Sequence, residues 1–318
     1  MRFFSGSLRK SKPVSVLFLA AQLLIAASLL LPISVAQQPG NAPPTPPQPP
    51  LPPAVFQNPI PGNQLAFLSG FAGKMPKEAM KDKRFRNLWK LATPRTTYHY
   101  GRDMPLTETS ETLLTSDGLP IDVRDGRYVM VASHGGSYLR GRGFIWFDMR
   151  EGIALGGVFF SPVNGEPTPT LAIFSRQLSQ TSLFMGQLPA AFAQDLAQWE
   201  LIANVPIVSP RYFIPDNGKK YVLLHDEDYC AHPEDAPAPP QDQCQELNAE
   251  AADADLNAAY FMRETGNAAD ATAWMLGSDQ VAWISLRDQS CGIGPGRLPC
   301  RIRITRERTR VILRDRRN

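Results

Sequence analysis

The sequence predicts an α+β chain: an N-terminal antiparallel β meander with one or two packing helices, followed by a small disulfide-stapled three-helix domain. Three observations carry this expectation. Short apolar runs alternate with tight-turn residues between Pro120 and Ser175. Apolar residues recur at helical spacing beyond position 247. All four cysteines, Cys230, Cys244, Cys291 and Cys300, fall in the last third of the chain.

The N-terminus reads as an export signal. Arg2, Arg9, Lys10 and Lys12 precede an almost unbroken apolar run from Val14 to Ile33, and Ser34-Val35-Ala36 then supplies the small residues of a cleavage site. Residues 1–36 are therefore assigned as a signal peptide; the rival is an uncleaved anchor, since about 20 apolar residues can span a bilayer. Either reading places the rest outside the cytoplasm, in the periplasm or beyond. Residues 1–36 hold four of the 33 Lys and Arg and none of the 30 Asp and Glu, which leaves the remainder at −1. The basic whole-chain balance thus gives no argument for a nucleic-acid partner. Residues 37–61 form a linker, in which eleven prolines between positions 39 and 61 favour an extended, semi-rigid spacer.

Residues 62–225 read as the α+β domain. A basic helix is expected over Pro76 to Leu91, with Met80, Phe85, Leu88 and Trp89 as packing residues. Ile121 to Arg124 and Tyr128 to Ala132 flank Asp125-Gly126, a two-residue hairpin signal. Phe144 to Phe147 and Ile153 to Phe160 flank Arg150-Glu151-Gly152, and Asn164-Gly165 precedes Leu171 to Phe174. Short connections imply antiparallel neighbours. Phe144 to Phe147 are apolar on both faces, which predicts a central strand covered on both sides. Leu188, Phe192, Leu196 and Trp199 give one helical face, with Pro189 in the first turn. Tyr212 to Ile214 and Tyr221 to Leu224 flank Asp216-Asn217-Gly218 as another hairpin.

Candidate chemistry in this domain is thin. His134-Gly135-Gly136-Ser137 is similar to the oxyanion loop of esterases, but no G-x-S-x-G elbow accompanies it, and a glycine-rich turn is the simpler reading. His99 and His134 lack partners at metal-ligand spacing. Asp103, Asp122 and Glu151 are carboxylates that sequence alone does not bring together. No catalytic residue, metal or cofactor is assigned.

Residues 226–318 carry the more specific pattern. An even cysteine count in an exported small domain favours disulfides, and four cysteines allow three connectivities. The sequential one closes short loops, each stabilising by roughly 3 kcal/mol in the chain-entropy account. A tetra-cysteine zinc site is the alternative, but the close cysteine pairs of such sites are missing. Leu247, Ala251, Ala254, Ala258 and Phe261 predict one helix, Leu276 to Leu286 a second, and Ile302, Thr305, Thr309 and Ile312 a third.

Three motifs stand on these helices: Asp253-x-x-Leu256-Asn257-x-x-Tyr260, then Gln280-x-x-Trp283-Ile284-x-x-Arg287-Asp288-x-x-Cys291, then Cys300-x₄-Thr305-x-x-Arg308-x₄-Leu313. In order and composition this region resembles the LprI-like lysozyme-inhibitor family across about residues 228–315. The resemblance implies a helical extracytoplasmic domain that binds and inhibits lysozyme. The segment between Cys230 and Cys244, with four prolines, is longer than the family pattern. The motif residues themselves are expected to be structural, with Trp283 in the helical core, Tyr260 packed, and Arg287 paired with a carboxylate such as Asp253.

Charge suggests where contact is made. Residues 226–255 hold ten acidic residues and no Lys or Arg, among them Asp226, Glu227, Asp228, Glu234, Asp235 and Asp242. Those six are the candidate binding residues, because lysozymes are commonly basic and an acidic loop would speed their approach. A simpler possibility is that the acidic residues pair with the eight arginines of 301–318. The helical stripe Arg303, Arg306, Arg310, Arg314 and Arg317 suits anionic envelope polymers or lipid headgroups, or is merely a solvated face. The expected function is inhibition of lysozyme, or of another peptidoglycan hydrolase, by protein contact rather than catalysis. The alternative is a hydrolase or small-ligand carrier in residues 62–225, with the helices as accessory.

Overall fold

The computed structural model describes residues 55–99, 102–135, 141–160, 169–231, 238–266 and 271–315. Residues 1–36, expected to be a signal peptide, most of the proline-rich segment, Gly136-Ser137, Asn164-Gly165, Glu234, Asp235 and Arg317 lie outside the described residues. Among the described residues, no helix is long and apolar enough to cross a membrane.

In chain order the elements are α1 (Gly62–Leu65), a 3₁₀ segment Ala66–Phe71, α2 (Pro76–Ala79), α3 (Lys83–Ala92), β1 (Thr97–His99), β2 (Asp103–Pro105) and α4 (Leu106–Ser116). Then come β3 (Asp122–Arg124), β4 (Tyr128–Ala132), β5 (Arg142–Asp148), β6 (Ile153–Phe160), β7 (Thr170–Phe174), β8 (Leu183–Phe184), α5 (Ala190–Ile202), β9 (Arg211–Ile214) and β10 (Tyr221–Leu224). The chain ends in three long helices, α6 (Gln241–Gly266), α7 (Ala271–Cys291) and α8 (Arg297–Asp315).

The expected meander is present as β3-β4-β5-β6-β7, antiparallel throughout. Its first turn follows from two residues: Asp125 and Gly126 have φ of 57° and 60°, the left-handed pair of a tight turn closed by the Arg127 N–H on the Arg124 carbonyl at 3.0 Å. The register pairs Arg124 with Tyr128, so the connection is one residue longer than the two-residue signal implies. Beyond β7 the sheet departs from the sequence expectation. Helix α5 carries the chain across one face, so that β9 joins β7 in parallel and β10 returns beside β9. The two-residue β8 then adds a second parallel pairing on β10.

β5 is fully buried on both faces, as its continuous apolar run predicts. Phe144 and Trp146 point to the α5 side, where Phe192, Leu196 and Trp199 meet them. Ile145 and Phe147 point the other way, against Phe85, Leu88 and Trp89 of α3. Further along this second face, Leu106 and Leu113 of α4 pack on Val158, Ala172 and Phe174. The result is helix–sheet–helix layering. The expected basic helix is broken at Lys81-Asp82, and the Asp82 carboxylate accepts the Arg84 N–H at 2.7 Å to start α3. Pro189 caps α5 from just outside instead of occupying its first turn.

The end of the proline-rich segment joins the body. Phe56 bridges to Leu178, and the Ile60 N–H donates to the Gly152 carbonyl at 2.8 Å. Gly152 (φ 67°) has no room for a side chain, since a Cβ would lie 2.4 Å from the Ile60 oxygen.

The helices pair through a hairpin. Disulfides join Cys230 to Cys244 and Cys291 to Cys300, the sequential connectivity. The second closes the α7–α8 turn. Helix α6 rests on the sheet, since Leu256, Ala258, Ala259 and Met262 share a cluster with Tyr212 of β9, Val222 of β10 and Ile312 of α8.

Candidate functional site

The motif residues meet at one place. Arg287, only 5% exposed, donates through Nη1 to Asp253 Oδ1 at 2.7 Å and through Nε to Asp288 Oδ1 at 2.9 Å. Its Nη1 also reaches the Thr305 hydroxyl at 3.1 Å, while Arg301 holds the other Asp253 oxygen at 2.9 Å. One carboxylate on α6 thereby ties α7 to α8. Two carboxylates and a hydroxyl surround the buried guanidinium, which offsets the cost of taking its charge out of water. Trp283 is half-buried rather than central: the guanidinium groups of Arg287 and Arg308 lie 5.4 and 5.7 Å from its ring centre. Arg308 in turn pairs with Asp279. Leu256 and Thr305 are buried, Tyr260 is half-buried against the shared cluster, and Asn257 is exposed. Gln280 is 7% exposed, and neither amide atom finds a hydrogen-bond partner among the described residues.

The acidic residues divide into two groups. Asp226, Glu227 and Asp228 follow β10, and each is engaged. Asp226 Oδ1 accepts the Gly186 N–H at 2.8 Å. Asp228 Oδ1 accepts from the Cys230 N–H at 3.0 Å and the Asn248 amide at 2.8 Å. These bonds, with Arg306 nearby, hold the Asp228 carboxyl below its usual range. Glu227 is bound by Arg211 at 2.5 Å. Asp242, by contrast, is exposed on α6, as are Glu246 and Glu250. Steps of four put these three on one helical face, and Asn257 falls on the same stripe seven residues on.

Across from Asp226 and Asp228 stands the arginine stripe. Arg303, Arg306 and Arg310 of α8 line a groove of about 480 Å³ whose other wall is the 226–228 segment. The structure therefore brings the acidic segment and the arginine face together; among the described residues no ion pair closes between them, although Arg306 is near enough to help lower the Asp228 carboxyl.

Beneath this groove lies a cluster of charge of which the sequence singled out only Glu227. Arg211, 4% exposed, forks between Glu227 and Glu200, the latter at 3.4 Å. Burial pushes the Glu200 carboxyl up to about 7, against the pull of Arg211 and with added repulsion from Glu227. The attraction of Arg211 wins over burial at Glu227, whose carboxyl is held below its usual range. His225 Nδ1 and N–H both meet the Asp255 carboxylate, at 2.7 and 3.0 Å, and burial raises that carboxyl. Burial also pushes the Tyr229 hydroxyl up to about 12. Arg211, Glu200 and His225 stand alone in sequence, each within an otherwise apolar or unremarkable run, so no spacing marks them.

In residues 62–225, Asp195 accepts from the Trp146 indole at 2.7 Å and from Arg124 at 3.0 Å. It sits at a cavity of about 260 Å³, walled by Leu119, Pro120, Met130 and Trp199 and reached also by Asp122. Asp103 lies in β2, in the separate two-stranded sheet with β1, and Glu151 is in the β5–β6 turn beside Arg127. The three carboxylates named from sequence are thus not gathered into one site. His134 Nδ1 faces the Gly135 carbonyl at 3.0 Å, and Ser133 Oγ is occupied by the Leu113 carbonyl at 2.7 Å. Among the described residues no group of His, Cys, Asp and Glu has the arrangement of a metal site.

Residues 232–311 match the family model described as Lysozyme inhibitor LprI. The C-terminal region thus carries the resemblance first suggested by its motifs. The matched segment covers about a quarter of the chain and contains α6, α7 and most of α8. It holds Asp253, Arg287, Arg301 and Thr305, so the cross-helix network lies wholly within the LprI match. Neither the curated proteins nor the solved structures give a match to the chain.

Proposed function

We propose that the chain is an exported cell-envelope protein that binds and inhibits lysozyme, or another peptidoglycan hydrolase, by protein–protein contact. The observation that carries this reading is the LprI match over residues 232–311. In this reading residues 1–36 direct export, 37–61 space the folded part from the membrane or wall, 62–225 support, and 226–318 act. The motif residues frame the three helices, while the acidic residues recruit. Asp242, Glu246 and Glu250 form an exposed ridge on α6, and Asp226 and Asp228 add charge beside it. A cationic hydrolase approaching this face is accelerated electrostatically, and seating there blocks its substrate cleft.

The direct test is surface-plasmon resonance with the full mature, oxidised chain and lysozymes of several types across a salt series. An association rate that falls about tenfold or more between low and high salt is expected. Absence of association with every lysozyme tried would overturn the reading.

A second reading, a small-ligand carrier in residues 62–225, draws support from the mostly apolar cavity beside α5. Titration with apolar fluorescent probes, read through Trp199 and Trp146 emission, tests it. A saturable change is expected if the cavity takes ligand, and none if it does not.

A further inference from the structure

We propose that the groove between the 226–228 segment and α8 is a binding site for a short peptide with free amino and carboxyl ends. The argument rests on how its two walls are built. On the acidic wall each aspartate has one oxygen fixed by backbone: Asp226 Oδ1 by the Gly186 N–H and Asp228 Oδ1 by the Cys230 N–H. The Asn248 amide, 5% exposed, locks Asp228 further and also accepts the Tyr229 N–H through its oxygen at 3.1 Å. Both aspartates line the groove, and these bonds leave neither carboxylate free to swing across it.

On the basic wall, Arg303, Arg306 and Arg310 lie at i, i+3 and i+7 on α8, one face of the helix. None of the three has an ion-pair partner among the described residues. Opposite charges that served only stability would close on each other; here about 480 Å³ of open groove separates them. That volume is in the range that takes small ligands. Ile302 and Pro299 supply apolar contact between the walls.

A groove with both signs selects a ligand with both signs. A polyanion would meet Asp226, Asp228 and also Glu307, while a polycation would meet three guanidinium groups. A peptide end-to-end presents an ammonium to the aspartates and a carboxylate to a guanidinium, which can bind it through two parallel N–H donors. Both partners exchange water for charge-assisted bonds already positioned by the fold, which limits the ordering cost.

The experiment is isothermal titration of the full mature chain with trialanine, with N-acetyl-trialanine and with trialanine amide. Trialanine is expected to bind with Kd below about 1 mM, and capping either end is expected to weaken binding at least tenfold. Asp228→Asn, which keeps an acceptor for the Cys230 N–H, and Arg306→Gln are each expected to produce the same loss. A thermal melt alongside confirms that both variants stay folded. No binding of trialanine, equal binding of the capped forms, or unaltered binding by both folded variants would overturn the proposal. The titration contains no hydrolase, so its failure leaves the inhibitor reading standing, and failure of that reading leaves the titration interpretable.

Discussion

The sheet and the helical region solve the same stability problem by different means. Around β5 and β6 the core is large and aromatic: Phe144, Trp146, Phe147, Phe159 and Phe174 are all fully buried. Helix α6 buries mostly small residues, among them Ala249, Ala251, Ala252, Ala258 and Ala259. Each buried phenylalanine removes several times the apolar area of an alanine, at roughly 25 cal/mol per Å². The sheet is held by burial, with no cysteine in it. The helices compensate with two disulfides and the Asp253–Arg287–Arg301 network. A small apolar core thus goes with covalent and ionic ties; the Cys291–Cys300 disulfide and the Asp253 network lie inside the LprI match, while Cys230 of the first disulfide lies just before it.

The largest effect is expected where burial does the holding. Phe144→Ala removes a ring packed 4.8 Å from Trp199 and 6.0 Å from Phe192. Urea unfolding should show a loss of about 3–5 kcal/mol, and a loss no larger than a surface substitution would break the contrast. Next comes the staple. Cys291→Ser with Cys300→Ser should destabilise the α7–α8 hairpin by roughly 3 kcal/mol, read as faster amide exchange in α7 while β5 and β6 stay protected. Unchanged exchange in α7 would show that its packing suffices without the crosslink.

A smaller change tests the network. Asp253→Asn leaves the buried Arg287 with Asp288 as its remaining carboxylate and should cost about 2 kcal/mol. Asp288→Asn should cost less, because Asp288 is more exposed than Asp253. Equal costs would mean that the tie between α6 and α7 is not where the geometry puts it.

The smallest effect is a pH dependence at the junction. The Glu200 carboxyl, raised from 4.5 to about 7, binds its proton more tightly folded than unfolded. Stability from this group is therefore present below about pH 4.5 and is lost as pH rises toward 7. Glu200→Gln should remove on the order of 1–2 kcal/mol of the difference between about pH 5 and pH 8. Parallel denaturant curves at the two pH values measure it, and identical pH dependence in variant and wild type would contradict the assignment.

How much was legible in the sequence follows the range of the interactions. The meander could be read because each strand pairs with its chain neighbour and Asp125-Gly126 announces its turn. The parallel β7–β9 pairing could not, since it depends on where α5 sets the chain down. Helix α4 went unread because Thr107, Thr109, Ser110, Thr112 and Thr115 weaken its periodicity, although Leu106, Leu113 and Leu114 are buried. The three C-terminal helices were foreshadowed by spacing within single helices, and the Arg287–Asp253 pair by the motif residues that carry the LprI resemblance. The groove was not, because its walls are about 75 residues apart in sequence and meet only when α8 packs on α6.

The measurement closest to the central claim is muralytic turnover of lysozyme titrated with the oxidised chain of residues 37–318. The account predicts a block that saturates near one chain per enzyme at low salt. It also predicts weaker inhibition, through slower association, when Asp242→Asn, Glu246→Gln and Glu250→Gln are combined. Undiminished turnover at saturating chain, with lysozymes of several types, would contradict it.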